Sequence, residues 1–440
     1  MLSEETINIL TERLVSRFDK LNTEILKKIG SNIKKISKLT SSDAHRLEQI
    51  LKYGGDYEKI AQELSKITNL SVKDIKEIFE LTSKQDLNFA KQFYDYRDVS
   101  FIPYEQNMAL KRQVESFSRI SINEFLTNTT MLGYGLYNNN GEIVYKGIRE
   151  TYNQLIDEAI ISISQGKETF QESMSRQLKV LGGGGLRVIY PTTYVDKNGV
   201  TKHYSRRLDS VLSMNLQEGL RKLHNANQEL FGEDFGYNGV EVTHHQNAAP
   251  DHIDTIDGKQ FALIDRIQQQ INNGIETEIK QDDIRGNQVR VKGKIYDDFN
   301  AINNSLDRQI STLNCRHRIF SIIVGVSKPE YTQKELDEDK KKNRDGFELY
   351  DKRSGKNKKY TMYSGSQLQR NLERKIREQK DIHILAKESD NTNLLLETQS
   401  NITHLIAQYK ELCDVSGLPY KKDRLRVASY KRINVNNLKK

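Results

Sequence analysis

The apolar residues near the start of the chain recur at steps of three and four: Ile7, Leu10, Leu14, Phe18, Leu21 and Ile25. That spacing gathers them on one face of an α-helix, whereas a strand would scatter them over both of its faces. Ser3 followed by Glu4 and Glu5 suits a capped, acidic helix start. Prolines number five in 440 residues, and the first is Pro103, so long helices are permitted. The first 130 residues therefore read as helical. The Gly54–Gly55 pair is expected to break the second helix, and Ser71, with Asp74 three positions on, to start another.

The pattern then changes. Gly133, Gly135 and the run from Asn138 to Gly141 predict a hairpin. Residues 148–180 return to helix, with Tyr152, Leu155, Ile156, Ala159, Ile160 and Ile163 on one face. Four glycines, Gly182 to Gly185, follow. No Lys-Ser/Thr pair comes after them, so they read as a boundary or hinge and not as a phosphate loop. Beyond them, turn-punctuated strands predict one α+β domain. LRVIY and TTYV lead to Asn198-Gly199, a dipeptide suited to the positive φ angles of a tight hairpin turn. An amphipathic helix, SVLSMNLQEGLRKLHNANQELF, precedes a short strand, GVEVTH, which delivers His244 and His245 at its end. RGNQVRVKGKIY alternates, and RIFSIIVGV reads as a buried strand.

The last segment reads as helical and basic. Residues 340–359 hold nine Lys and Arg against three acids, and the last twenty residues hold eight against one. The fold class expected is α+β: a largely helical N-terminal half, a central α+β domain and a helical basic tail. The divisions fall at 1–130, 131–185, 186–327 and 328–440. No internal repeat is visible.

Composition narrows the function classes. A net charge of +8 with 29% charged residues suits a protein working beside a polyanion. Cys315 and Cys413 are the only cysteines, so no disulfide framework is expected. The opening MLSEETINILTERLVSRF lacks the apolar core of a secretion signal, and no stretch of about 18 apolar residues would span a membrane.

One constellation carries chemistry. His245 and His252 lie seven apart, and Cys315 and His317 lie two apart. Cys and His are ligands that Zn²⁺ favours, and residues two apart in extended chain face the same side. The alternatives are a hydrogen-bonded polar cluster, a Cys315 nucleophile with His317 as base, or a nuclease using His244 or His245 with Asp251, Asp254 or Asp257 as metal ligands. The acids are read as a solvated turn. The basic candidates for phosphate contact are Lys340, Lys341, Lys342, Arg344, Lys358, Lys359, Lys421, Lys422, Arg424 and Arg426.

The same residues carry a resemblance. His245, Pro250, His252, Gly258, Lys259, Phe261, Asn314, Cys315, Arg316, His317, Gly325 and Ser327 stand in an order that resembles phage minor capsid proteins of the second type. Those are related to the Mu F-like head-morphogenesis proteins. Asp209 and Asn215 upstream, and Gln367, Gln369, Arg370, Glu373 and Arg377 downstream, are similar to the same family's pattern. Asn247, Ala248 and Ala249 replace its usual glycines between the two histidines. The resemblance implies a virion structural protein, not an enzyme, made in the host cytoplasm and placed inside the head near the portal. The implied partners are the portal, other head proteins and the virion's double-stranded DNA, touched without sequence preference during assembly, packaging or delivery. It also strengthens zinc at His245, His252, Cys315 and His317. The competing function is a zinc-dependent hydrolase or nuclease built on that cluster.

Overall fold

A computed structural model describes residues 4–38, 56–138, 140–165, 167–195, 199, 201–275, 278–310, 315, 317–351 and 355–433. Gly54, Gly55, Asn198 and Asn314 lie outside them, as do Arg316 and the last seven residues. The helices and strands are α1 Glu4–Ile36, α2 Asp56–Arg97, α3 Met108–Thr130, β1 Leu132–Tyr137, β2 Ile143–Gly147, α4 Ile148–Ser164, α5 Lys167–Gly184, β3 Arg187–Val195 and β4 Thr201–Arg207. There follow α6 Leu208–Phe235, β5 Gly239–Val242, α7 Pro250–Ile253, β6 Gln260–Ala262, α8 Ile264–Asn272, β7 Ile284–Arg285, β8 Gln288–Val291, β9 Lys294–Asp297, α9 Phe299–Ser305 and β10 Ile319–Ile322. The chain ends with α10 Gln333–Asp345, β11 Phe347–Asp351, β12 Lys356–Tyr360, α11 Met362–Glu388, α12 Thr392–Ser416 and a 3-10 turn at Lys422–Leu425. This is the α+β class expected, with helical N- and C-terminal parts. Among the described residues up to 120 there is no strand.

The chain forms two compact units, and each draws on three stretches of sequence. One takes 1–8, 75–121 and 216–367; the other takes 9–74, 122–215 and 368–440.

In the second unit, Leu14, Phe18, Leu21 and Ile25 of the opening helix are buried, as their spacing predicts. The β1–β2 hairpin belongs to a sheet of order β2-β1-β3-β4. Its turn is held by the Asn138 side chain, which accepts from the backbone N–H groups of Asn140 and Glu142. The glycine run has two roles. A Cβ on Gly182 would come within 2.8 Å of the Ile382 backbone nitrogen, so glycine lets α5 lie against α11. Gly185, at φ 62°, ends the helix in a left-handed conformation. The expected start at Ser71 is corrected. Helix α2 runs through it, and Ser71 Oγ donates to the Ile67 carbonyl instead of capping an N-terminus. Asp74 receives Arg17 and Arg13, which explains a carboxylate at a buried helix position.

In the first unit, a sheet of order β10-β5-β6 lies in the core. Val240, Val242 and Phe261 from it pack with Leu87, Tyr94, Phe231, Phe235 and Phe299. The outer edge of β10 is covered by α6. Ser321 N–H and Oγ both donate to Gln228, and His224 Nε2 meets the Ile319 carbonyl. His224 is fixed from its other side by Asp86 Oδ1 at 2.9 Å. The alternating RGNQVRVKGKIY segment forms the meander β7-β8-β9, with Val289, Val291 and Tyr296 turned into a small core of its own. One element differs from the helical reading of the tail: β11 and β12 form a hairpin between α10 and α11.

Candidate metal centre

Three extended or loop segments of the first unit converge below the end of β5. After Val242 the chain leaves the sheet through Thr243, His244 and His245. It turns at Asn247, whose φ is 64°, and enters the single turn α7, which Pro250 begins. That turn carries His252 inward. From the other side, Cys315 and His317 approach just ahead of β10. All three side chains are buried: His252 is 2% exposed, Cys315 8% and His317 3%.

Their ligand atoms form a triangle. His252 Nδ1 lies 3.2 Å from His317 Nδ1, Cys315 Sγ lies 3.4 Å from His317 Nδ1, and Cys315 Sγ lies 3.7 Å from His252 Nδ1. A tetrahedral zinc with bonds of about 2.0–2.1 Å to nitrogen and about 2.3 Å to sulfur has edges of about 3.3 Å between nitrogens and about 3.6 Å between sulfur and nitrogen. The observed triangle has those dimensions before any ion is placed in it.

The far side of each ring fixes its orientation. His252 Nε2 donates to the Arg308 carbonyl at 2.7 Å, and His317 Nε2 donates to Asp257 Oδ1 at 2.9 Å. With a proton on each Nε2, a ring that gives up its Nδ1 proton to a metal turns a lone pair toward the sulfur, the arrangement in which outer partners orient metal-binding histidines. Arg308 is itself anchored by Asp251 at 2.8 Å. The Arg221 guanidinium donates to the Cys315 carbonyl, placing a fixed positive charge near the thiol. Burial opposes a charge on His317. Asp257 on one side and the Cys315 sulfur on the other overcome this and hold its pKa up to about 9.

Asp257 is the centre of a wider network. Burial works to raise its pKa, but hydrogen bonds from His244 and His317 hold it down to about 2. It also accepts the His245 backbone N–H. His244 lies between two carboxylates, 2.6 Å from Asp257 Oδ2 and 2.6 Å from Asp339 Oδ2. Its hydrogen bond to Asp257 raises its pKa against the cost of burial. Asp339 belongs to α10, which is tied to the same loop by Asn343 Nδ2 on the Ala248 carbonyl and by Arg344 on Asp254.

Of the four sequence-proposed ligands, the structure groups three. His245 lies beside them: its ring packs on His317 at 5.0 Å, and its Nε2 is 3.5 Å from Thr243 Oγ1. The reading of the three acids as a solvated turn is corrected for Asp257, which is 1% exposed. Asp251 and Asp254 do pair at the surface, with Arg308 and Arg344. A cleft of about 450 Å³ runs between α2, β5 and β10, lined by Phe89, Phe93, Phe320, Glu241 and Tyr331 among others; Cys315 does not line it.

The basic candidates are spread over both units. Lys341, Lys342 and Arg344 are exposed on α10, and Lys340 is half-buried. Lys358 and Lys359 are exposed on β12, with Lys358 over the Tyr360 ring at 5.3 Å. In the other unit Lys421, Lys422 and Arg426 are exposed, while Arg424 pairs with Glu12 at 3.3 Å.

A family model described as Phage minor capsid protein 2 matches residues 2–414. The chain belongs to that family. No curated protein and no solved structure matches it. As a phage minor capsid protein it is a structural component of the bacteriophage virion and acts with other components of the head. The resemblance stated above from the histidine and cysteine segments is thus a membership covering nearly the whole chain. Among the described residues of this minor capsid protein, no helix is long and apolar enough to cross a membrane.

Proposed function

We propose that this minor capsid protein sits inside the head near the portal, touches the packaged DNA without reading its sequence, and is not an enzyme. Its α+β unit is closed by one structural zinc. His252, Cys315 and His317 supply three ligands, and His245 is the sequence's candidate for the fourth. The observation that carries the zinc assignment is the triangle of ligand atoms, whose edges match a tetrahedral ion and whose rings are oriented from behind by Asp257 and Arg308. Bound there, the ion adds folding energy to a loop-rich region that little secondary structure supports. With His245 as the fourth ligand the site would be closed and leave no open position for substrate, so its chemistry would be structural.

What supports DNA contact is the exposed set of Lys341, Lys342, Lys358, Lys359, Lys421 and Lys422, together with the overall charge of +8. Lys and Arg on phosphate act through counterion release, which is independent of sequence. Labelling of intact virions with cross-linkers tests the location. Cross-links from these lysines to the portal or to DNA are expected; links only to the outer shell overturn the portal assignment.

A further inference from the structure

The β3–β4 hairpin reaches beyond the packed part of its sheet. At its base Val188 is fully buried. Further out, every residue from Pro191 to Val195 is exposed, as are Thr201, His203 and Tyr204. Among the large apolar or aromatic side chains left in water are Tyr194 at 48%, Val195 at 66% and Tyr204 at 42% exposed.

The pairing register places the chemistry. Tyr194 stands opposite Lys202, and Thr193 opposite His203. Opposed residues share a face, and so do residues two apart along a strand. Tyr194, Lys202, Tyr204 and Arg206 therefore line one face of the ribbon. Tyr190 packs on Tyr204 at 5.7 Å, and the Arg206 guanidinium lies 5.1 Å from the Tyr204 ring while bonding its hydroxyl. The charge is one-sided. From Arg187 to Arg207 the sequence has five Lys and Arg and a single acid, Asp196. None of the described residues of the hairpin is acidic.

We propose that the outer half of this hairpin is a second nucleic-acid-contacting surface, which seats its Tyr194–Lys202–Tyr204–Arg206 face on a phosphodiester backbone. The proposal rests on the reading that this capsid protein touches DNA, and it names a surface distinct from the basic residues already assigned. Three features favour a polyanion over a protein partner. The described residues of the face include Lys202 and Arg206 and no acid. Its tyrosine rings flank those cations and offer hydroxyls to phosphate oxygens. A two-stranded ribbon also has the width that the major groove of a duplex admits.

The test uses the full chain and a short duplex of arbitrary sequence, with affinity followed against salt. Three proteins are compared: wild type; a hairpin variant with Tyr194→Ala, Lys202→Glu and Tyr204→Ala; and a tail variant with Lys341→Glu, Lys342→Glu, Lys421→Glu and Lys422→Glu. Circular dichroism reports whether each is folded. If the triple hairpin variant fails to fold, Lys202→Glu alone replaces it. The hairpin variant is expected to bind about tenfold more weakly at low salt, and its salt slope to shrink by about one, the value for a single phosphate contact. An unchanged affinity and slope overturns the hairpin assignment, and if the tail variant is weakened at the same time, the tail reading survives alone. A hairpin variant that is weakened while the tail variant is not supports the hairpin and removes the tail. Wild-type protein with no DNA affinity overturns both. A hairpin variant that keeps DNA binding but no longer co-sediments with head proteins overturns the nucleic-acid assignment in favour of protein docking.

Discussion

Asp257 holds His317 by one oxygen and His244 by the other, so a single buried carboxylate orients a candidate ligand and secures the loop beside it. Replacing it with Asn keeps the size but removes the charge. Asp257→Asn is expected to weaken zinc binding by about 10–100-fold, the usual effect of losing such an outer partner, whereas Cys315→Ser removes the ligand and the site. A competition titration against a coloured chelator separates the two. A second buried carboxylate gives a pH signature in the other unit. Burial dominates at Asp381 and pushes its pKa up to about 7, with Arg207 pulling it down and Asp19 pushing it up. Its folded pKa lies above its ordinary 3.8, so the folded state holds the proton more tightly than the unfolded chain. Its contribution to stability is full below about 4 and is lost as pH rises to about 7, on the order of a few kcal/mol at about 1.4 kcal/mol per unit. Urea midpoints for that unfolding step should fall between about pH 4 and about pH 7 in wild type and change much less in Asp381→Asn. Equal pH dependence in both proteins contradicts the assignment. The clustering of His252, Cys315 and His317 was visible in the sequence because two cysteines and nine histidines in 440 residues leave few ways to cluster them. Asp257 was hidden because acids are common. No local spacing separates it from Asp254, three positions earlier, whose carboxylate pairs at the surface with Arg344.

At the scale of elements, periodicity exposed the helices and failed at their ends. Ser71 followed by Asp74 has the composition of a helix start, yet it lies mid-helix with its hydroxyl bonded back to Ile67. Nothing in the local sequence reveals that Asp74 is held by Arg13 and Arg17, contacts from residues far away in the chain. A capping serine would cost about 1 kcal/mol when replaced by alanine. Ser71→Ala is therefore expected to shift stability by less than about 0.5 kcal/mol, measured by urea unfolding, because alanine favours a helix interior; a loss of a full capping interaction would favour a break there. Gly182→Ala is expected to cost about 1–3 kcal/mol, since its methyl would meet the Ile382 backbone at 2.8 Å. The β11–β12 hairpin escaped the sequence reading for a physical reason. Residues 356–359 of β12 are all exposed, so no buried face imposes the alternation by which a strand is recognised. The β8–β9 strands, with Val289, Val291 and Tyr296 inward, were legible for the opposite reason.

At the scale of the whole molecule, two units built from interleaved stretches of chain each hold part of the basic surface. For the full chain on duplex DNA, the logarithm of affinity is expected to fall against the logarithm of salt with a slope near about −3, and without preference among base sequences. A slope near zero would contradict DNA contact. The proposed zinc centre would hold together a loop-rich part of the α+β unit with one ion. Cobalt(II) titration of the reduced, metal-free full chain decides whether that centre exists. Tetrahedral ligand-field bands and a thiolate charge-transfer band are expected to saturate together at about one ion per chain, with the charge-transfer band lost in Cys315→Ser. A folded protein that gives octahedral, unsaturable cobalt spectra identical in wild type and Cys315→Ser would contradict it.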